Sequence, residues 1–153
     1  MSARVAVPGV LRAMTLLLGV AAISGCYDQP FSPYWDRGTY YLRYANNRPV
    51  PAVVSQGSGL VYTEILGGSL TLRRNHSYQL LVDVREWEGG RAYESTRVFA
   101  GSYDNDDYTL WLSYVPAGDY YAAVMVANWR GGRLELVVPE VDGRFGVLCL
   151  FED

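Results

Sequence analysis

From Gly38 onward the chain is interrupted by turn-forming residues, mostly about every 8–12 positions, and this spacing limits what it can fold into more than any other feature. The breaks fall at Asn46-Asn47, Gly57-Ser58-Gly59, Gly67-Gly68, Asn75-His76-Ser77, Glu88-Gly89-Gly90, Asp104-Asn105-Asp106-Asp107, Pro116-Ala117-Gly118-Asp119, Gly131-Gly132 and Asp142-Gly143. Gly and Asn accept positive φ, and Asn, Asp and Ser close turns through their own side chains. Tyr, Val, Leu and Thr dominate the stretches between, as suits a pleated, half-buried surface. The pattern predicts strands over 39–45, 50–55, 60–66, 69–74, 77–87, 92–100, 108–115, 120–129, 133–138 and 145–151. No stretch in this region has a convincing 3.6-residue period. Residues 120–129 come closest, but Tyr120, Tyr121, Val124 and Val126 favour a strand. Short strands joined in order by tight turns predict an all-β fold, an antiparallel up-and-down meander barrel of about 8–10 strands, with a β-sandwich as the alternative.

Side-chain alternation supports this reading in places. Leu70 and Leu72 oppose Ser69, Thr71 and Arg73, and Leu134, Leu136 and Val138 oppose Arg133 and Glu135. Two stretches are apolar on both faces: Leu110 and Leu112 against Trp111, and Ala122, Val124 and Val126 against Ala123, Met125 and Ala127. Such strands call for cover on both sides, from the segment before the domain, a partner, or an apolar ligand inside a barrel.

The N-terminus has a different character. Residues 1–12 carry Arg4 and Arg12 and no acid, and residues 13–23 form an almost unbroken apolar run. These are the n-region and h-region of a signal peptide, and the run falls short of the ~20 apolar residues that span a bilayer. Ile23-Ser24-Gly25-Cys26 follows and resembles the lipobox of bacterial lipoproteins. That resemblance implies a signal helix removed before Cys26, a diacylglyceryl group on the Cys26 sulfur, and a membrane held through that lipid. Stable anchoring takes more than one acyl chain, which one lipidated cysteine supplies. Tyr27, not Asp, follows the cysteine, which tilts the expected location towards the outer membrane of the cell envelope rather than the inner. The domain plan is thus a signal peptide over 1–25, a lipidated tether over 26–37 and a β-barrel domain over 38–153. Cys26 and Cys149 are the two cysteines, so lipid on the first leaves the second as a lone thiol, read as a buried core residue alternating with Phe145, Val147 and Phe151.

Several short motifs in the domain resemble the opening hairpins of bacterial lipocalin-like domains. They are Gly38-Thr39-Tyr40-Tyr41-Leu42, Asn46-Asn47-Arg48-Pro49-Val50-Pro51, Gly68-Ser69-Leu70-Thr71-Leu72, Asn75-His76-Ser77-Tyr78 and Ala100-Gly101-Ser102-Tyr103. The resemblance implies an eight-stranded up-and-down barrel, frequently carried on a lipoprotein, able to hold a small apolar molecule. Tyr40 stands where lipocalins proper carry a tryptophan after Gly-x.

Composition excludes some functions. Without residues 1–25 the chain has 11 Arg, no Lys and 16 acids, a formal charge of −5, which argues against nucleic acid as a partner and against electrostatic docking on anionic lipid. His76 is the only histidine and lies in a turn; Gly57-Ser58-Gly59 lacks the spacing of a nucleophile elbow. Asp104, Asp106 and Asp107 lack the glycine and distal Glu of a calcium loop and read as a polar turn. Glu86 and Glu88 carry no mark of an acid–base pair. No metal, no cofactor and no enzymatic activity is expected, and a transmembrane barrel is the remotest reading. The 13 Tyr and 4 Trp offer walls for an apolar ligand, with Trp87, Trp111 and Trp129 as candidate cavity lining. Two functions stay open: a lipid-anchored lipocalin-like module binding a small apolar molecule, and a structural or protein-interaction lipoprotein of the envelope with an envelope protein as partner.

Overall fold

The computed structural model describes residues 38–56, 61–106, 108–139 and 146–153. The expected signal peptide and tether, with Cys26, Phe145 and the breaks at 57–59 and 142–143, lie outside the described residues. Ten strands follow one another: β1 (Thr39–Ala45), β2 (Arg48–Pro49), β3 (Ala52–Gln56), β4 (Tyr62–Leu72), β5 (Ser77–Glu88), β6 (Arg91–Asp106), β7 (Thr109–Tyr114), β8 (Ala123–Arg130), β9 (Arg133–Val138) and β10 (Val147–Glu152). From β4 to β10 each pairs antiparallel with the next, and β1 closes the ring by pairing with β10 on one side and β4 on the other. The result is a closed eight-stranded antiparallel barrel, as the turn spacing predicts. Closure removes free edges from most of the sheet.

The remaining two strands form a wedge. The first half of β1 pairs with β4 (Thr39 with Thr71, Tyr41 with Ser69), while Tyr44 and Ala45 pair with β2. The chain then turns through Val50-Pro51 into β3, which pairs with the first half of β4.

Turn chemistry explains the hairpins. Asn46-Asn47, Gly89-Gly90 and Gly131-Gly132 all have positive φ at both positions, the twist that matches two-residue links between right-twisted strands. Two sequence breaks are corrected. Gly67-Gly68 lies inside β4, opposite Asp83 and Val82, just after an irregularity between Ile65 and Gly67. A Cβ at Gly68 would collide with the Leu81 carbonyl oxygen, so this glycine serves close strand approach rather than a turn. Asp104, Asn105 and Asp106 continue β6, paired as far as Asp106 with Thr109.

The core lies inside the ring. Leu70, Leu80, Val82, Val84, Leu110, Leu112, Ala127, Leu134, Leu136, Val147, Cys149 and Phe151 are fully buried on the inward parity of their strands. Each buried aliphatic side chain contributes about 1.5–3 kcal/mol relative to exposure. Tyr40, near the start of β1, is buried in this core, and its ring meets Trp129 edge-on at 5.9 Å.

Candidate functional site

The three tryptophans expected to line a cavity are not brought together. Trp129 follows buried Met125 and Ala127 on the inward parity of β8 and packs partly buried against the core. Trp87 lies one residue off that parity on β5, on the opposite face from buried Val82 and Val84, and stacks on Tyr62 at 5.4 Å. Trp111 alternates with buried Leu110 and Leu112, so it faces outward on β7. A one-residue step reverses the face of a strand side chain, so residue type alone does not assign it.

The both-face apolar strands are resolved in the same way. Met125 and Ala127 go inward, while Val124 and Val126 stand exposed on the outside of β8. Val126 is directly opposite Trp111, and Val137 of β9 is exposed on the same outer side, opposite Leu148. Val126 and Val137 both step away from the last shared pair of their strands, Ala127 with Leu136. Trp111, Val124, Val126, Val137 and Leu148 thus form an apolar strip on the outer wall. Beyond it, the loop between β7 and β8 presents Tyr120 and Tyr121, 96% and 83% exposed.

The second feature is a seam. β5 pairs with β6 along the whole of β5, Ser77 with Ser102 through Glu88 with Arg91. β6 pairs with β7 only from Gly101 to Asp106. β7 ends at Tyr114, so Arg91–Ala100 of β6 has β5 on one side and no strand on the other among the described residues. Every residue from Arg91 to Val98 is exposed. Beside this stretch, where the chain leaves β7, lies a cleft of about 300 Å³, lined by Arg97 to Ala100 on one side and by Tyr114 to Ala117 on the other. Phe99 and Tyr114 meet edge-on there at 5.4 Å.

Charges on this ribbon are paired on its surface. Arg85 bridges Glu94 at 2.7 Å and Glu64 at 3.2 Å, and Arg97 reaches Glu86 at 3.1 Å. The Thr96 hydroxyl donates to Asp83 at 2.7 Å. Glu86 is therefore an ion-pair partner, and Glu88 is exposed at the hairpin tip.

Inside the barrel two groups titrate abnormally. Burial pushes the Cys149 thiol up to about 12. Burial, and then the nearby Tyr114, push the Tyr78 phenol above its ordinary value, and its buried hydroxyl has no hydrogen-bond partner. Both groups are held neutral, so neither is poised as a nucleophile or base. His76 sits exposed in its turn at φ 59°, stacked on Tyr103 at 5.3 Å. Ser58 and Asp107 lie outside the described residues. Among the described residues no group of three or more His, Cys, Asp or Glu side chains is placed to hold a metal ion.

No protein-family model, no curated protein and no solved structure matches this chain.

Proposed function

We propose that this chain is a lipid-anchored protein of the bacterial cell envelope that acts through the outside of its barrel, as a structural or protein-interaction module. The observation that carries this reading is the division of apolar side chains. The inward set, from Leu70 to Phe151, is fully buried and engaged in packing. The outer strip of Trp111, Val124, Val126, Val137 and Leu148 and the seam along β6 leave apolar surface and backbone groups for another molecule. The anchor is supported by Ile23-Ser24-Gly25-Cys26 after a charged and then apolar leader. From Cys26 to Gly38 is 12 residues, which reach about 40 Å when extended, so the domain can stand clear of lipid headgroups.

The test places a photo-crosslinking residue at Val126 of the full chain in cells. Covalent adducts with protein support the reading, and a chain that stays unmodified at Val126 counts against it. The anchor is tested by intact mass: acyl mass on a chain beginning at Cys26 is expected, and an unmodified chain removes the anchor. A small apolar ligand is the second reading, favoured by the cleft beside Phe99 and Tyr114. At about 300 Å³ it stands at the small end of ligand pockets. Stoichiometric retention of a fluorescent fatty acid would make this second reading the better one.

A further inference from the structure

We propose that the free stretch of β6, Arg91–Ala100, pairs edge to edge with the same stretch of a second copy of this chain, antiparallel about a two-fold axis at Thr96, with Tyr93 of each copy seated beside Phe99 of the other. The proposal rests on the reading of the barrel as an interaction module and names the partner at its seam.

The first argument is the edge itself. It is ten residues long, regular in register with β5, and free of proline. Strands of this kind offer a row of unpaired N–H and C=O groups, and proteins commonly blunt them with bulges, proline or cover. Pairing with a second copy satisfies both edges at once, because an isologous contact uses the same patch twice.

The second argument is which registers the side chains permit. A two-fold axis normal to a sheet keeps each face on its own side, so only residues of like parity can stand opposite one another. Centring on Glu94 sets two carboxylates against each other, and centring on Arg97 sets two guanidinium groups together. Like charges directly opposite are destabilising. Centring on Ser95 puts Arg91 opposite Phe99 and Tyr93 opposite Arg97, and leaves no aromatic pair. Centring on Thr96 places Tyr93 opposite Phe99, Glu94 opposite Val98, Ser95 opposite Arg97, Ala92 opposite Ala100, and Thr96 on itself. Aromatic pairs and Thr–Thr pairs are among the favourable cross-strand contacts. Glu94 and Arg97 each keep an exposed ion pair within their own copy, with Arg85 and Glu86.

The third argument is the cleft. In β6, Tyr93 and Phe99 share a face: their partners Glu86 and Leu80 have the same parity on β5. Tyr93 is half exposed at 53%, and Phe99 borders the cleft of about 300 Å³. In the Thr96-centred register each tyrosine therefore lies opposite the residue that borders the other copy's cleft.

The test is disulfide trapping of the full chain in cells, with Thr96→Cys beside Arg74→Cys, an exposed position in the turn between β4 and β5. Mild oxidation is expected to give a covalent product of twice the chain mass at position 96, at least 10-fold more abundant than at position 74. Tyr93→Ala added to Thr96→Cys should cut that product several-fold; the side chain is exposed, and far-ultraviolet circular dichroism and a thermal melt check that the barrel is intact. No excess of dimer at position 96, no effect of Tyr93→Ala in a folded chain, or a cross-link to a different protein each overturns the proposal. Failure here is separable from failure of the general reading. Adducts at Val126 with other proteins would uphold an interaction module without self-pairing, and loss of the anchor leaves the cross-link at position 96 measurable.

Discussion

At the scale of single residues, the interior is organised around which groups are denied water. Tyr78 carries a buried hydroxyl with no partner, a group whose desolvation is uncompensated. Tyr78→Phe keeps the ring and removes that cost, so it should be neutral or stabilising by about 1 kcal/mol in urea unfolding. A loss above this value would mean that the hydroxyl is bonded. Gly101 is the opposite case. It stands between Tyr78 on β5 and Tyr114 on β7 in one row, and a Cβ there would collide with the carbonyl oxygen of Ser113. Gly101→Val should destabilise by about 1–3 kcal/mol or more, through forced backbone movement, and lower the melting temperature accordingly. An unchanged melt would show that β6 and β7 can part at that point.

At the scale of elements, the sequence is informative wherever turn chemistry and alternation agree. β1 and β9 have the residues expected, 39–45 and 133–138, because Asn-Asn and Gly-Gly turns bound them and one face is plainly apolar. In the sequence Gly67-Gly68 reads as a turn that splits β4 in two, because a glycine needed for close strand approach looks the same as a glycine needed for positive φ. The end of β6 was hidden by Asp104 to Asp106, whose polar side chains read as loop although their backbone is paired with β7. The candidate site was less legible. Trp87, Trp111 and Trp129 are all aromatic strand residues, and only the register with their neighbours separates Trp129, inside, from the other two, outside. The seam was not legible at all, because it arises from unequal lengths: 16 residues in β6 against six in β7. A residue pattern shows where a strand runs, and only pairing shows where its partner stops.

At the scale of the whole molecule, closure is the feature on which stability depends. β10 pairs with both β1 and β9, so it is the stave that completes the ring. Removing Val147–Glu152 exposes two edges and takes Val147, Cys149 and Phe151 from the core. The shortened chain should show no cooperative thermal transition; a sharp transition near that of the intact protein would mean that an open sheet suffices. Alkaline pH probes the same core. Cys149 and Tyr78 both hold their protons more tightly folded than unfolded, from ordinary values of 9.0 and 10.0. The unfolded chain sheds those protons first, so this stabilisation is whole below about pH 9 and declines as the pH climbs towards 12. Urea midpoints measured across that window should fall, and should fall less in Cys149→Ala and Tyr78→Phe. Equal slopes in all three proteins would place the alkaline sensitivity elsewhere.

The chain enters the barrel beside the last residues of β4 and β10, whereas the unpaired part of β6 begins at the β5–β6 turn, at the opposite mouth. Twelve residues of β5 rising about 3.3 Å each, at a tilt of about 40°, separate the two mouths by roughly 30 Å. The barrel is therefore a rigid spacer, and strand length sets the distance between the point where the chain enters it and the exposed edge. A half-turn normal to the sheet also reverses the barrel axis. Two molecules joined along β6 would meet by their far mouths and begin their first strands at opposite ends of the pair, the shape of a strut.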